Sequence, residues 1–311
     1  MTDIVITEFM DAGPVERLKA EHSVLWDDHL GKDRARLLPM LANATAIIVR
    51  NETQVNEELL DAAPNLRVVG RLGVGLDNID LQACAARNVT VCPATGANAP
   101  SVAEYVIAAT FQLTRGMASA TQRITQGAWP RADFSGGGEI YGKVMGLIGF
   151  GGIGQLVADK AASLGMTIVA YDPVLPADDP AWHGVERGTL SDVLAKADVI
   201  SLHVPLTDET RGMIDARAFA QMKPNVILIN TARGGIVDEA ELAARLQRDE
   251  IGGAALDVFE SEPPDPALMA QFAGQSNVLL TPHIAGLTAE ANGRVSELTV
   301  DNVLRELKGQ T

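Results

Sequence analysis

The chain has 311 residues, 47% of them hydrophobic but only 4% aromatic, and a formal net charge of −15. That length can bury the cores of two domains, and so acidic a surface opposes nucleic acid and anionic lipid as partners. No apolar run reaches the roughly 18 residues of a membrane span.

Short apolar runs predict strands at 4–6, 46–49, 68–69, 144–148, 167–171, 199–203, 226–229, 254–256 and 278–280. Helical patterns lie between them, as at 156–164 and 239–247. Strand, helix, strand at this cadence predicts an α/β protein with doubly wound parallel sheets. Two longer helices interrupt it, at 101–120 and 290–307, and mark crossings between a domain made from both chain ends and one made from the middle. The first opens on Ser101-Val102-Ala103-Glu104, a capping-box pattern that accounts for Glu104. Residues 121–142 are irregular around Gly136-Gly137-Gly138, with Trp129 expected at the surface. Cys84 and Cys92 are too few for a disulfide framework and lack metal-ligand spacing, so no metal is expected. The start, MTDIVITEFMD, carries acids where a secretory leader needs bases. Both features suit a reducing, cytoplasmic compartment.

The first chemical motif follows the strand at 144–148. Residues 149–154 read Gly149-Phe150-Gly151-Gly152-Ile153-Gly154 and open a helix. A glycine triplet alone is weak, but a second strand then ends on Asp172, 18 residues past Gly154. That is where a carboxylate would accept hydrogen bonds from a ribose diol. Gly149 allows the tight turn, Gly151 the approach of a pyrophosphate, and Gly154 close helix–strand packing, with N–H groups and the positive dipole end at the helix start. Pro173 rather than a cation follows Asp172, so a 2′-phosphate would meet like charge. NAD is expected over NADP.

Three clusters then close successive strands: residues 230–235 (NTARGG), 257–264 (DVFESEPP) and 281–286 (TPHIAG). Ligands of doubly wound sheets bind beyond the carboxyl ends of the strands, so Arg233, a glutamate and His283 can converge there. Singly, these are a surface cation, a loop acid and a strand cap; jointly they suit hydride transfer at a 2-hydroxy acid. The alkoxide formed on ketone reduction needs a proton from an acid poised near neutrality, which histidine supplies, with a carboxylate to favour the charged ring. Arginine offers a planar fork to the substrate carboxylate. Two further arginines, Arg50 after the strand at 46–49 and Arg71 before Gly73-Val74-Gly75, could receive a second anion on the substrate. The commonplace alternative for Arg50 is pairing with Glu52.

Together with Arg71-Leu72-Gly73-Val74-Gly75-Leu76-Asp77-Asn78-Ile79-Asp80 and His203-Val204-Pro205-Leu206-Thr207, these motifs resemble the D-isomer-specific 2-hydroxyacid dehydrogenases along essentially the whole chain. The resemblance implies Arg233, Glu262 and His283 as the catalytic set, with Glu260 a bystander. It implies that backbone amides around Val74 and Gly75 hold the substrate carboxylate. NAD would be bound by Gly149, Gly151, Gly152, Ile153, Gly154 and Asp172, and its nicotinamide half met by Pro205, Thr231, Ala232, Arg233, Asp257, His283 and Gly286. The fold implied is a Rossmann domain at 100–283 inserted in a flavodoxin-like substrate domain of residues 1–99 and 284–311. A homodimer through the helix near 101–120 and the arm after it is implied as well.

Gly152 departs from the arginine or histidine common at that position. The chain's end at Thr311 leads us to expect no C-terminal regulatory domain. A dinucleotide-sensing co-repressor, a binding protein on the same fold, is the rival reading. The segments ITEFMD and PATGAN (residues 93–98) are similar to a sulfolactate-dehydrogenase-like branch.

Overall fold

A computed structural model describes residues 2–309. Two compact units emerge: Ala99–Gly286, and the residues up to Asn98 together with those from Leu287 onward. The first unit in chain order holds β1 (Ile4–Ile6), β2 (Val24–Trp26), β3 (Ala46–Val49), β4 (Val68–Arg71) and β5 (Thr90–Pro93). They form one parallel sheet in the order β2-β1-β3-β4-β5. β1 and β3 are buried at every position, because helices cover both faces of a parallel sheet and leave no polar side. Strand alternation sorts their side chains. Val5, Ile47, Val49 and Val69 pack with Leu37 and Leu59, while Ile4, Ile6, Ile48 and Val68 pack with Val15, Leu18, Val300 and Val303.

The middle unit contains β6 (Val144–Ile148), β7 (Thr167–Tyr171), β8 (Glu186–Arg187), β9 (Val199–Leu202), β10 (Ile227–Asn230), β11 (Gly253–Leu256) and β12 (Val278–Leu280). Their order is β12-β11-β10-β9-β6-β7-β8, all parallel. Leu228 and Leu256 face one apolar cluster, Ile229 and Ala255 the other. The strand order turns around between β6 and β9, which puts a ligand crevice at their carboxyl ends.

Three strands lie outside the sequence prediction: β2, β5 and β8. All three are sheet edges, where one flank is unpaired and the apolar run is short or mixed. The predicted helix 101–120 is two helices, Ala99–Arg115 and Met117–Thr125, broken at Gly116 with φ 62°. Since the first begins at Ala99, Ser101 lies inside it and is no cap; the Glu104 carboxylate instead pairs with Lys160 Nζ at 3.3 Å. Trp129 is exposed, as expected. The last helix is Ala289–Gly309. The middle unit runs on past residue 283 to Gly286, because Asp257 accepts the backbone N–H groups of Ile284 and Ala285. Among the described residues no helix is long and apolar enough to cross a membrane.

Candidate active site

The glycine loop between β6 and the helix Gly152–Ser163 leaves open space at the helix start. Gly149 has φ 93°, and a Cβ there would lie 2.5 Å from the carbonyl oxygen of His203; only glycine takes that turn against β9's continuation. A Cβ at Gly154 would lie 2.5 Å from the Gly149 oxygen, whereas positions 151 and 152 open onto free space. Gly154 thus serves packing, and Gly151 and Gly152 leave an approach to the first N–H groups of a 12-residue helix. Ile153 is half-buried behind them. At the end of β7, Asp172 Oδ2 accepts from Phe150 N at 2.8 Å, and Oδ1 from Val174 N and Leu175 N at 2.9 and 3.0 Å. Burial raises its pKa, but these three bonds outweigh that and hold it below the ordinary value. The carboxylate is therefore charged, with lone pairs left for a diol.

Beyond β10, β11 and β12 the three sequence clusters meet. Register sets Asn230 beside Leu256 and Leu256 beside Leu280, so each cluster leaves its strand at the same edge. Asn230 is buried and shapes the first: its Oδ1 accepts from Ala232 N at 3.0 Å and its Nδ2 donates to the Arg233 carbonyl at 2.9 Å. Arg233 Nη1 donates to the Ala232 carbonyl at 2.7 Å. Gly234 admits the second cluster, since a Cβ there would lie 1.8 Å from the Phe259 oxygen. The Arg233 turn consequently lies against the loop that carries Glu262.

Asp257 organises the third cluster. It is buried, and it accepts from Thr281 Oγ1 at 2.6 Å, Ile284 N at 2.8 Å and Ala285 N at 2.8 Å. Thr281 spends its one proton on Asp257, so the Tyr105 hydroxyl, 2.5 Å away, donates to Thr281. This clamp keeps His283 at φ 54°, a left-handed conformation that costs a non-glycine residue of order 1 kcal/mol. His283 N donates to the Asp257 and Thr281 carbonyls at 2.8 and 3.0 Å. Its Nδ1 lies 2.8 Å from Glu262 Oε2. The half-exposed pair borders a cavity of about 330 Å³ lined by Phe259, Met269, Leu280 and Pro282 among others. Glu262 Oε1 accepts from Phe259 N at 3.3 Å, and Glu260 N donates to Glu239 Oε1 at 2.7 Å, so the loop carrying both acids is tied back to the unit.

Of the residues expected around a nicotinamide, Thr231 keeps a buried Oγ1 with no hydrogen-bond partner among the described residues, as do Ser201 Oγ and His203 Nε2 nearby in sequence to the same strand ends. Ala232 is buried, the Pro205 carbonyl accepts from Thr210 Oγ1 at 2.6 Å, and Gly286 closes the unit. Orphaned polar atoms, an open cradle and a free carboxylate edge all fit a bound dinucleotide. Sequence reasoning missed His203, which is half-buried with its ring Nε2 enclosed and its imidazole pushed down to about 4 by burial. It also missed Glu239 and Tyr105 as supports of the two loops. Their signal lies in contacts distant along the chain, which a local pattern does not carry.

In the other unit the two arginines behave differently. Arg71 Nη1 donates to the Leu72 carbonyl at 2.6 Å and lies against Gly73, so it shapes the loop that presents Val74 and Gly75. Arg50 Nη2 donates to Asn292 Oδ1 at 2.8 Å, and its guanidinium lies 5.9 Å from the centre of the Phe9 ring. Glu52, the partner a commonplace reading gives it, bonds Lys32 Nζ at 3.1 Å instead.

Residues 107–285 match the family model described as the D-isomer specific 2-hydroxyacid dehydrogenase, NAD binding domain. The chain is 53% identical over 310 residues to an (S)-sulfolactate dehydrogenase of Chromohalobacter salexigens, covering 99% of each. It is 41% identical over 307 residues to a D-3-phosphoglycerate dehydrogenase of Mycobacterium bovis, covering 99% of this chain but 57% of that one. A D-lactate dehydrogenase from Aquifex aeolicus, solved with NAD and lactic acid, superposes with a TM-score of 0.84 at 29% identity, covering 99% and 96% of the two chains. None of these relatives carries the name of a sensor or co-repressor. With this cradle, these three clusters and these relatives, the chain belongs to the D-isomer-specific 2-hydroxyacid dehydrogenases and is an NAD-dependent oxidoreductase of 2-hydroxy acids.

Proposed function

We propose that the enzyme interconverts a dianionic D-2-hydroxy acid of the sulfolactate type and its 2-keto acid. The observation that carries this is Arg50: its charge is met by an amide oxygen and an aromatic face, and among the described residues no carboxylate lies within ion-pair distance of it. A guanidinium held by neutral groups keeps its charge for a ligand, and its fork matches a sulfonate or phosphate. Arg71, turned to its own loop, joins it through the backbone it shapes. The relative named for (S)-sulfolactate agrees in stereochemistry. A sulfonate-bearing carbon outranks a carboxyl, so the S descriptor there denotes the same hand as D-lactate.

In oxidation, His283 takes the C2 hydroxyl proton on Nε2, since Glu262 engages Nδ1 and fixes the ring. In reduction it returns that proton to the alkoxide. Arg233 is the residue of the middle unit that receives the substrate carboxylate and polarises the neighbouring carbonyl, and in the other unit the backbone amides around Val74 and Gly75 are the carboxylate-binding groups. Bound NAD supplies the hydride acceptor. Gly149, Gly151, Gly152, Ile153 and Gly154 hold its pyrophosphate and Asp172 its adenosine ribose. Thr231, Ala232, Pro205, Asp257 and Gly286 meet its nicotinamide half. The exposed Met117, Ile124, Trp129 and Tyr141 support a homodimer through the middle unit, and the two buried free cysteines support a cytoplasmic setting.

The test is NADH oxidation with sulfopyruvate, 3-phosphohydroxypyruvate, hydroxypyruvate, pyruvate and glyoxylate side by side. Highest kcat/KM on sulfopyruvate is expected. Equal or better turnover of the singly charged acids would overturn the dianionic reading, and NADH binding without turnover of any would return the sensor.

A further inference from the structure

The segment Glu8-Phe9 at the end of β1 has no part in the chemistry above, yet it builds the seat of Arg50. Glu8 is 3% exposed, and four consecutive N–H groups of the loop after β3 point at its carboxylate. Oε1 accepts from Arg50 N at 2.8 Å and Thr53 N at 3.1 Å; Oε2 accepts from Asn51 N and Glu52 N, both at 2.9 Å. Burial acts to raise the pKa of Glu8, and the four bonds overcome it and hold it below the ordinary value. Thr7 Oγ1 lies 2.7 Å from Thr53 Oγ1, and Asn78 Nδ2 donates to the Thr53 carbonyl at 2.7 Å. The loop is thereby tied to the chain just past β1 and to Asn78, which follows the Gly73-Val74-Gly75 segment. Gly31 closes against the Glu8 stem, where a Cβ would meet Glu8 Cγ at 3.0 Å.

This arrangement separates two tasks. The negative charge of Glu8 is consumed by backbone dipoles, so it fixes the position of the Arg50 backbone without neutralising the guanidinium. The guanidinium is then aimed by two neutral groups, the Phe9 ring and Asn292 Oδ1. A carboxylate in either place would hold the arginine equally well but would compete with an incoming anion.

We propose that Glu8, Phe9 and Asn292 are positioning residues that pre-set Arg50 as the receiver of the second anion and so determine selectivity for dianionic over monoanionic 2-keto acids. The inference rests on the reading of Arg50 given under the proposed function. A pre-aimed arginine gains affinity because the rotamer freedom of its long side chain is lost before the ligand arrives.

The experiment compares kcat/KM for sulfopyruvate with kcat/KM for pyruvate, at saturating NADH, in the full-length enzyme and in Phe9→Leu, Asn292→Ala, Glu8→Gln and Arg50→Ala. Phe9→Leu and Asn292→Ala should each lower the ratio about two- to fivefold, the worth of an exposed cation–π contact or hydrogen bond. Arg50→Ala should lower it about tenfold to a hundredfold, as loss of charge-assisted bonds does. In the Arg50→Ala background neither Phe9→Leu nor Asn292→Ala should lower it further, because they act only through that side chain. Both alter partly exposed side chains, so they decide the matter even where Glu8→Gln does not fold. A ratio unmoved by both while Arg50→Ala lowers it, or effects that persist in the Arg50→Ala background, overturns the inference. A ratio unmoved by Arg50→Ala itself overturns the dianionic reading beneath it.

Discussion

Replacing Asp257 by Asn tests whether the clamp on the His283 loop is what makes the histidine productive. Three donors converge on this buried carboxylate: Thr281 Oγ1 and Ile284 N on Oδ1, Ala285 N on Oδ2. An asparagine can keep only one oxygen. Its best orientation retains the two bonds on Oδ1 and turns its NH₂ toward the Ala285 N–H, donor against donor. Ala285 is buried, so that N–H gains no water. One charge-assisted bond is lost, at roughly 1.5–3 kcal/mol, and the remaining two weaken to neutral strength. The expected loss is about 2–4 kcal/mol, concentrated on a loop that already holds His283 at positive φ. A loop released by that amount shifts the ring from Glu262, and misplacement by about an ångström lowers kcat roughly a hundredfold. Calorimetry and NADH-oxidation kinetics read both effects. Thr281→Val removes a donor to the same oxygen, so a double-mutant cycle should show coupling of about 0.5 kcal/mol or more. Strict additivity of the two changes, or an Asp257→Asn enzyme with normal kcat, would refute the clamp.

Three further outcomes follow from the same geometry. His283→Ala should lower kcat by about 10²–10⁴ with little change in NADH affinity measured by fluorescence titration; near-normal turnover would leave His283 a loop residue. Asp172→Ala should weaken NADH binding by about tenfold or more and narrow the preference over NADPH, read from paired dissociation constants; a wild type that prefers NADPH would contradict the ribose assignment. His203 has a folded pKa of about 4 against an ordinary 6.5, so the unfolded chain binds the extra proton first. Its contribution is intact above pH 6.5 and declines by about 3 kcal/mol as pH falls to about 4. Denaturant midpoints of wild type and His203→Gln should converge or cross over that window, and parallel curves would contradict the burial.

The sequence by itself determined the α/β class, the central strands and the chemistry-bearing clusters. The reason is local: buried parallel strands are continuous apolar runs, and a glycine loop between strand and helix has few other uses. Thus β3, β6, β9, β10 and β11 were legible, and so was the pairing of a histidine with a glutamate, because ligands collect at the ends of such strands. Other features depend on residues far apart in the chain. The edge strands β2 and β8 are only three and two residues long, and β8 is charged at both positions; they are strands because β1 and β7 offer them open hydrogen-bonding edges. The resemblance implies Glu262, and the folded loop sets its Oε2 2.8 Å from His283 Nδ1 while its Oε1 accepts from Phe259 N at 3.3 Å. Asp257 looks like a strand-end acid, but folding brings three donors to it and makes it the support of the TPHIAG loop. Arg50 could have paired with Glu52; only the folded chain sends Glu52 to Lys32 and sets Phe9 and Asn292 around the guanidinium. Periodicity fixes which residues are buried, whereas partner choice among charged and polar groups is settled by distance, and distance exists only once the chain has folded.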